Sequence, residues 1–334
     1  MLVSILVFTL GFLFDIQRIR QIDDILYLIQ QAVYLTLLGT LLLVEIRIRI
    51  GTFKLSDQGK KFWRYHNLVV HFLFGSLLRA YTIFYYSSAS HFSSFVFILL
   101  IAIFMLANEI PKFQRLGLPI RIILYNICAL SFFSIFFPIL LGFVGQIPFW
   151  LAFCSSVLVM LFLWKINFSK TEHRFILKRH VVIPSVLVHL MFLISYYTSL
   201  IPPVPMAVKK IGVYTKVTKS EGKYFGEKLK GHQDLLVFPG DKVTVLLSIY
   251  SPAQFKDKIY LKWYLEGQLQ DTIPLVILGG RKDGFRGFGS KQFYRPGLWK
   301  IIVETSDGRE VGRTKVEIKN APLQTERLYE TESY

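Results

Sequence analysis

Three polar side chains on one helix, with a histidine on another, sit at positions where chemistry inside a membrane would be done. Asn67, His71, Gly75 and Arg79 recur every fourth residue within an apolar run, so they share one face of a helix. An imidazole and a guanidinium on one face could relay a proton or hold an anion, and an ionisable residue inside a span is a functional hypothesis by default. The ordinary reading is preferred: Arg79 snorkels outward and His71 sits near the inner interface. His189 lies near the middle of the last long apolar run. A neutral histidine bonded to a neighbouring helix is preferred there over a ligand or proton relay.

A second candidate lies late in the chain. Gly279–Ser290 reads GGRKDGFRGFGS, placing Arg281, Lys282 and Arg286 among glycines, with Lys291 directly after. Glycines let backbone N–H groups converge on an anion, and the cations add charge. The segment suits a phosphate, an acidic glycan or a partner's carboxylate, and its ordinary reading is a plain loop between strands. It has neither the Gly-Lys-Ser/Thr of a P-loop nor the dinucleotide G-x-G-x-x-G. No H-E-x-x-H, Cys/His metal spacing or G-x-S-x-G elbow occurs, so no catalytic residue, metal site or cofactor is assigned.

The elements that must position these residues are mostly membrane spans. The chain is 53% hydrophobic, with mean hydropathy +0.44, too apolar for an ordinary soluble protein. Seven apolar runs are expected to span: 1–14 (a short first span with no signal-peptide features), 25–43, 67–86, 92–107, 120–144, 149–164 and 181–204. Residues 1–204 form a transmembrane helical domain on this reading. Their 17 Lys+Arg exceed their 7 Asp+Glu, and the cations collect in alternate loops, at 47–64, 112–115 and 165–179. By the positive-inside rule those loops are cytoplasmic, as is the N-terminus, and residues 205–334 lie outside, in the periplasm of a bacterial cell. Tyr85, Tyr86, Trp150, Tyr196 and Tyr197 suit an outer aromatic belt. The net charge of +17 thus reflects membrane loops and lipid contact rather than a nucleic-acid face. Cys128 and Cys154 both fall within spans, and no cysteine follows, so the C-terminal domain has no disulfide framework.

After Pro202, Pro203 and Pro205 the periodicity changes to two. Ile211, Val213, Thr215 and Val217 alternate with polar or small residues, as do Val243–Ile249, Ile259–Leu265, Trp299–Val303 and Thr314–Ile318. Strict alternation gives each strand one dry face. Short strands with Pro-Gly-Asp and Asp-Gly turns predict an immunoglobulin-like β-sandwich over 205–322, with Trp263 and Trp299 buried. Residues 323–334 read as a disordered tail.

Lys262-Trp263-Tyr264, the run Arg286–Lys291, Pro296-Gly297-x-Trp299, Asp307-Gly308-Arg309 and Gly312-Arg313 resemble a bacterial domain-of-unknown-function family found behind membrane segments. The resemblance covers about the last third of the chain. It implies a fold and a topology and brings no catalytic residues. The expectation is an integral inner-membrane protein whose non-enzymatic periplasmic sandwich binds an envelope protein or an anionic glycan or lipid. The alternative is a membrane-embedded enzyme or transporter that works through His71, Arg79 and His189.

Overall fold

The computed structural model describes residues 25–90, 92–108, 110–114, 117–166, 175, 177–221, 223–229, 234–238, 240–252, 255–278, 284–292, 294–322 and 328–334. The expected first span lies outside them. The chain divides into two compact units. The first comprises the described residues up to Ser87 and those within Ser93–Phe137 and Ile147–Ile201. The second comprises Ser88–Phe92, Pro138–Gln146 and Pro202–Tyr334.

The helices are α1 (Ile25–Arg49), α2 (Asp57–Trp63), α3 (His66–Ser88), α4 (Phe92–Asn108), α5 (Pro111–Gln114), α6 (Leu118–Leu141), α7 (Gln146–Ile166) and α8 (Ile183–Tyr197). A π-helical turn, Lys178–Val182, leads into α8. Among the described residues five helical segments are long and apolar enough to cross a membrane: Ile25–Arg49, His66–Ser88, Leu118–Leu141, Gln146–Leu163 and Lys178–Tyr197. The expected span at 92–107 is a shorter apolar helix.

Sequence explains the faces of these helices. In α1, Leu28, Gln31, Leu35, Leu38, Leu42, Glu45 and Ile46 are buried, at spacings of three, four and one, one face of a 3.6-residue helix. Ile29, Val33 and Leu37, on other faces of α1, are exposed, as suits contact with hydrocarbon. Gly39 lets α6 come close, since a Cβ there would lie 2.7 Å from the Tyr125 hydroxyl. The expected aromatic belt is corrected at two positions. Tyr85 is fully buried, edge-on to Phe97, and Tyr196 stacks on Phe149 with ring centroids 3.7 Å apart. Both rings are drawn inward by aromatic partners the sequence did not reveal. Tyr86, Trp150 and Tyr197 are exposed.

The second unit is β-rich. Its strands are β1 (Ala207–Tyr214), β2 (Lys216–Ser220), β3 (Lys223–Leu229), β4 (Leu235–Val237), β5 (Val243–Tyr250), β6 (Lys256–Leu265), β7 (Gln268–Leu278), β8 (Phe285–Lys291), β9 (Gly297–Thr305), β10 (Glu310–Asn320) and β11 (Tyr329–Ser333). They form sheets ordered β1-β5-β8, β4-β10-β9-β6-β7 and β11-β3-β2. All pairs are antiparallel except β4 with β10. The first two sheets share one core: Val243, Val245, Leu247 and Ile249 from one meet Ile259, Leu261, Trp263, Trp299, Ile301 and Val303 from the other.

Three local expectations are corrected. The alternation from Ile211 to Val217 is split at Thr215, whose hydroxyl donates to the Glu227 carbonyl. β1 then joins β5 while β2 joins β3. Half of the Gly-rich segment, expected as a loop, is strand β8. Gly289 favours it: a Cβ there would lie 2.7 Å from Leu261 Cδ1, so the glycine lets the two sheets approach without moving that leucine. The expected disordered tail contains β11, which pairs along its length with β3.

Candidate functional site

Within the helical unit, Asn67, itself exposed, adjoins a polar cluster whose members Glu45, His66 and Arg121 are buried. Glu45, near the end of α1, accepts from Arg49 Nη2 at 2.8 Å and from Arg121 Nη1 at 2.6 Å. Arg121 Nη2 donates to Asn67 Oδ1 at 2.8 Å. His66 completes the group: its Nδ1 lies 3.2 Å from Asn67 Oδ1, its Nε2 lies 3.6 Å from Glu45, and its ring stacks on Trp63. Three helices are tied together here, because each charge taken from water needs a partner.

His71 is not in that cluster. Its Nδ1–H donates to Asn108 Oδ1 at 2.8 Å, and Asn108 Nδ2 donates back to the His71 carbonyl at 2.9 Å. The pair joins α3 to α4 and fixes the imidazole tautomer. Arg79, further along α3, is half-buried.

His189 is held by a third set of groups. Its Nδ1–H donates to the Ser185 carbonyl at 2.8 Å, so Nε2 is the acceptor for the Ser156 hydroxyl at 3.1 Å. Asn126 donates to Ser185 Oγ at 2.9 Å, bringing α6 into the same arrangement. An apolar cavity of about 390 Å³ lies beside it, lined by Phe153, Met160, Ser185, His189 and Leu190 among others. His71 and His189 thus bond to different helices, α4 and α7, and share no partner in these contacts.

In the β unit, Arg281 and Lys282 lie outside the described residues. Arg286 and Lys291 both stand on β8, opposite Ser248 and Val243. They are five residues apart on a regular strand, so they point to opposite faces. Lys291 Nζ donates to Asp271 at 2.9 Å and lies 5.9 Å from the centre of the Trp299 ring. That hydrogen bond holds the Asp271 carboxyl below its ordinary value. Lys291 borders a cavity of about 660 Å³ with Gln270, Tyr294, Arg295, Trp299 and Asn320. Two cations, the carboxylate of Asp241, amides and aromatic rings line it, a mixed set able to hold a polar group.

Residues 256–318 match DUF2914, a family described as a protein of unknown function. The matched stretch runs from the first residue of β6 to Ile318 in β10. It therefore contributes strands to both sheets of the main core, and it contains Asp271, Arg286, Lys291 and Trp299. No curated protein matches the chain.

Sequence reasoning overlooked Glu45, Arg121, Asp271 and Arg295. A signal existed for the first two. Each is an ionisable residue at the edge of an apolar run, and such a charge needs a buried partner. Asp271 and Arg295 sit in ordinary polar surroundings, and only the fold brings Asp271 to Lys291. Among the described residues no group of three or more His, Cys, Asp or Glu side chains is placed to hold a metal.

Proposed function

We propose that this is a multi-pass protein of a bacterial inner membrane with seven spans and a cytoplasmic N-terminus. It presents an immunoglobulin-like sandwich in the periplasm, and that sandwich binds an envelope partner or anionic ligand without catalysis. Five apolar helical segments followed by a β-rich unit, the cations gathered in alternate loops, and a match to a family of unknown function support the reading.

One observation carries the non-enzymatic part. The polar side chains Asn67, His71 and His189 are bonded to separate partners on separate helices. These contacts join helices, which supports a packing role for the three side chains over a shared reaction centre. The binding role falls to the basic side chains Arg281, Lys282 and Arg286 of the β unit, acting on an acidic glycan, an anionic lipid head group or an acidic protein surface. Lys291, on the opposite face of β8 and paired with Asp271, is not one of that set. Such cations attract an anion through charge, screened over about 8–10 Å at physiological salt.

The test joins topology to binding. A reporter active only outside the cytoplasm, fused after Tyr334, is expected to be active, and an inactive but stably expressed fusion overturns the orientation. The Arg281→Ala, Lys282→Ala, Arg286→Ala triple variant should fold and lose retention on immobilised acidic glycan or on anionic vesicles. Retention equal to that of the native chain rejects the anion-binding role.

A further inference from the structure

The third sheet, β11-β3-β2, has a construction that the anion-binding reading does not use. β11 adds to the edge of β3 in antiparallel register, from Tyr329 opposite Leu229 to Ser333 opposite Phe225. The backbone of Tyr334 continues the ladder, its N–H donating to the Tyr224 carbonyl at 2.9 Å. Acidic residues of this strand meet basic residues of the receiving surface. Lys228 Nζ lies 3.2 Å from Glu330 and 3.5 Å from Glu332, and Lys210 Nζ lies 3.2 Å from Glu332. Lys210 also donates to the Ser333 carbonyl at 3.0 Å.

The end of the strand is anchored in a slot. Tyr334 is buried, its hydroxyl 3.0 Å from that of Tyr214, its ring under the Lys210 ammonium at 4.3 Å. Tyr214 donates to Glu332 at 2.9 Å. The slot exists because two residues lack side chains. A Cβ on Gly212 would lie 2.6 Å from the Tyr334 hydroxyl, and one on Gly226 would lie 2.5 Å from the Tyr214 ring. Outside the anchor the strand is held loosely. Its residues alternate between exposed and half-buried, and its ion pairs are partly solvated, a class that contributes little individually. A short strand held by backbone bonds, exposed charges and one buried ring belongs to the readily opened part of a fold.

We propose that the β3 edge is a peptide-binding site occupied in cis by β11. Its partner is an extended acidic segment of another protein, carrying carboxylates at alternate positions and an aromatic side chain at its end. Such a segment would add to β3 as a strand, its backbone giving affinity and its side chains specificity. The lysines select acidic residues, and the Gly212–Gly226 slot selects the ring.

The test uses the full chain in detergent and a labelled peptide, Leu-Tyr-Glu-Thr-Glu-Ser-Tyr, as probe. The Glu330→Lys, Glu332→Lys variant sets lysine against Lys228 and Lys210 and so frees the edge. It should bind the probe at least tenfold more tightly than the native chain, whose edge is covered. Adding Lys210→Glu and Lys228→Glu should restore the cis pairing and abolish the gain. A variant that binds no better than the native chain overturns the proposal. So does native exchange of β11 between two copies, seen as a dimer cross-linked from β11 to β3, which would make a second copy the occupant. Hydrogen exchange on the native chain needs no variant: amides of Tyr329–Ser333 should exchange at least tenfold faster than those of Ile301–Val303. Equal protection in the two segments overturns the proposal as well.

Discussion

Glu45 and Arg121, 76 residues apart in the chain, meet at 2.6 Å with both side chains more than nine-tenths buried. The two ends of this pair are not equivalent. Glu45 also holds Arg49, whose side chain is nearly half exposed. Glu45→Ala therefore leaves the Arg121 guanidinium buried with only Asn67 for company, whereas Arg49 turns to water. Removing one partner of a buried pair costs about 3–5 kcal/mol, and Glu45→Ala should fall in that range. Arg121→Ala should cost less, because Arg49 still neutralises Glu45. Thermal melts of both variants in detergent check the order, and a larger loss for Arg121→Ala would show that Arg49 does not support Glu45.

Trp263 and Trp299 stand edge to face with centroids 6.0 Å apart in the core of the β unit. Trp299 Nε1–H donates to the Arg295 carbonyl at 2.8 Å. Trp299→Ala empties a large volume from the core and should cost about 3–5 kcal/mol. It also frees the Arg295 carbonyl and alters the cavity bordered by Lys291. Denaturant melts followed by fluorescence of the remaining tryptophans measure the loss. An unchanged midpoint would place Trp299 outside the core.

The legible parts of the fold were those where one physical signal dominates. Apolar runs mark the helices because a span has no water to satisfy its backbone. Alternation at Val243–Ile249 and Ile259–Leu265 marks strands that bury one face. β8 and β11 were hidden for opposite reasons. The glycines of β8 lower strand propensity, yet the close passage of Leu261 favours a glycine at position 289. In β11 the alternation is glutamate with threonine and serine, which reads as solvated chain until Lys228 and Lys210 are seen across from it. The candidate polar residues were found one by one because a span makes any charge conspicuous. Their partners were not found, because Asn108, Ser156 and Arg121 lie on other helices, and spacing along one helix says nothing of its neighbours.

Gly289 gives the sharpest test of sheet approach. Its missing side chain faces Leu261 Cδ1 at 2.7 Å and Ile273 Cγ2 at 3.5 Å. A methyl group there must push the end of a leucine, while a valine must push both neighbours. Gly289→Val should cost about 1–3 kcal/mol as overpacking, and Gly289→Ala should cost less. Combining Gly289→Ala with Leu261→Val should lose less than the sum of the separate changes. Additive losses, read from denaturant midpoints, would show that the two side chains do not compete for one space.

Asp257 supplies a pH dependence with a determined sign. Its carboxylate is buried and accepts from the Val144 N–H at 2.9 Å and the Lys258 N–H at 2.7 Å. Burial is the largest influence and raises its pKa above the ordinary 3.8. The two N–H donors and Arg309 oppose that shift, and Asp307 adds to it. In the window from 3.8 upward to the raised value, the folded chain keeps a proton that the unfolded chain has lost. Stability therefore falls as pH rises through that window. Carboxylates such as Asp271 and Glu332, held below their ordinary values, give slopes of the opposite sign. The informative quantity is thus the difference between the native chain and Asp257→Asn. The variant should be less stable at every pH, because an amide cannot accept from both N–H groups with its two ends. Its melting temperature should nevertheless lack the decline that Asp257 contributes above about pH 4. If native and variant profiles run parallel from pH 3 to 7, Asp257 does not titrate in that window and the assigned shift is wrong.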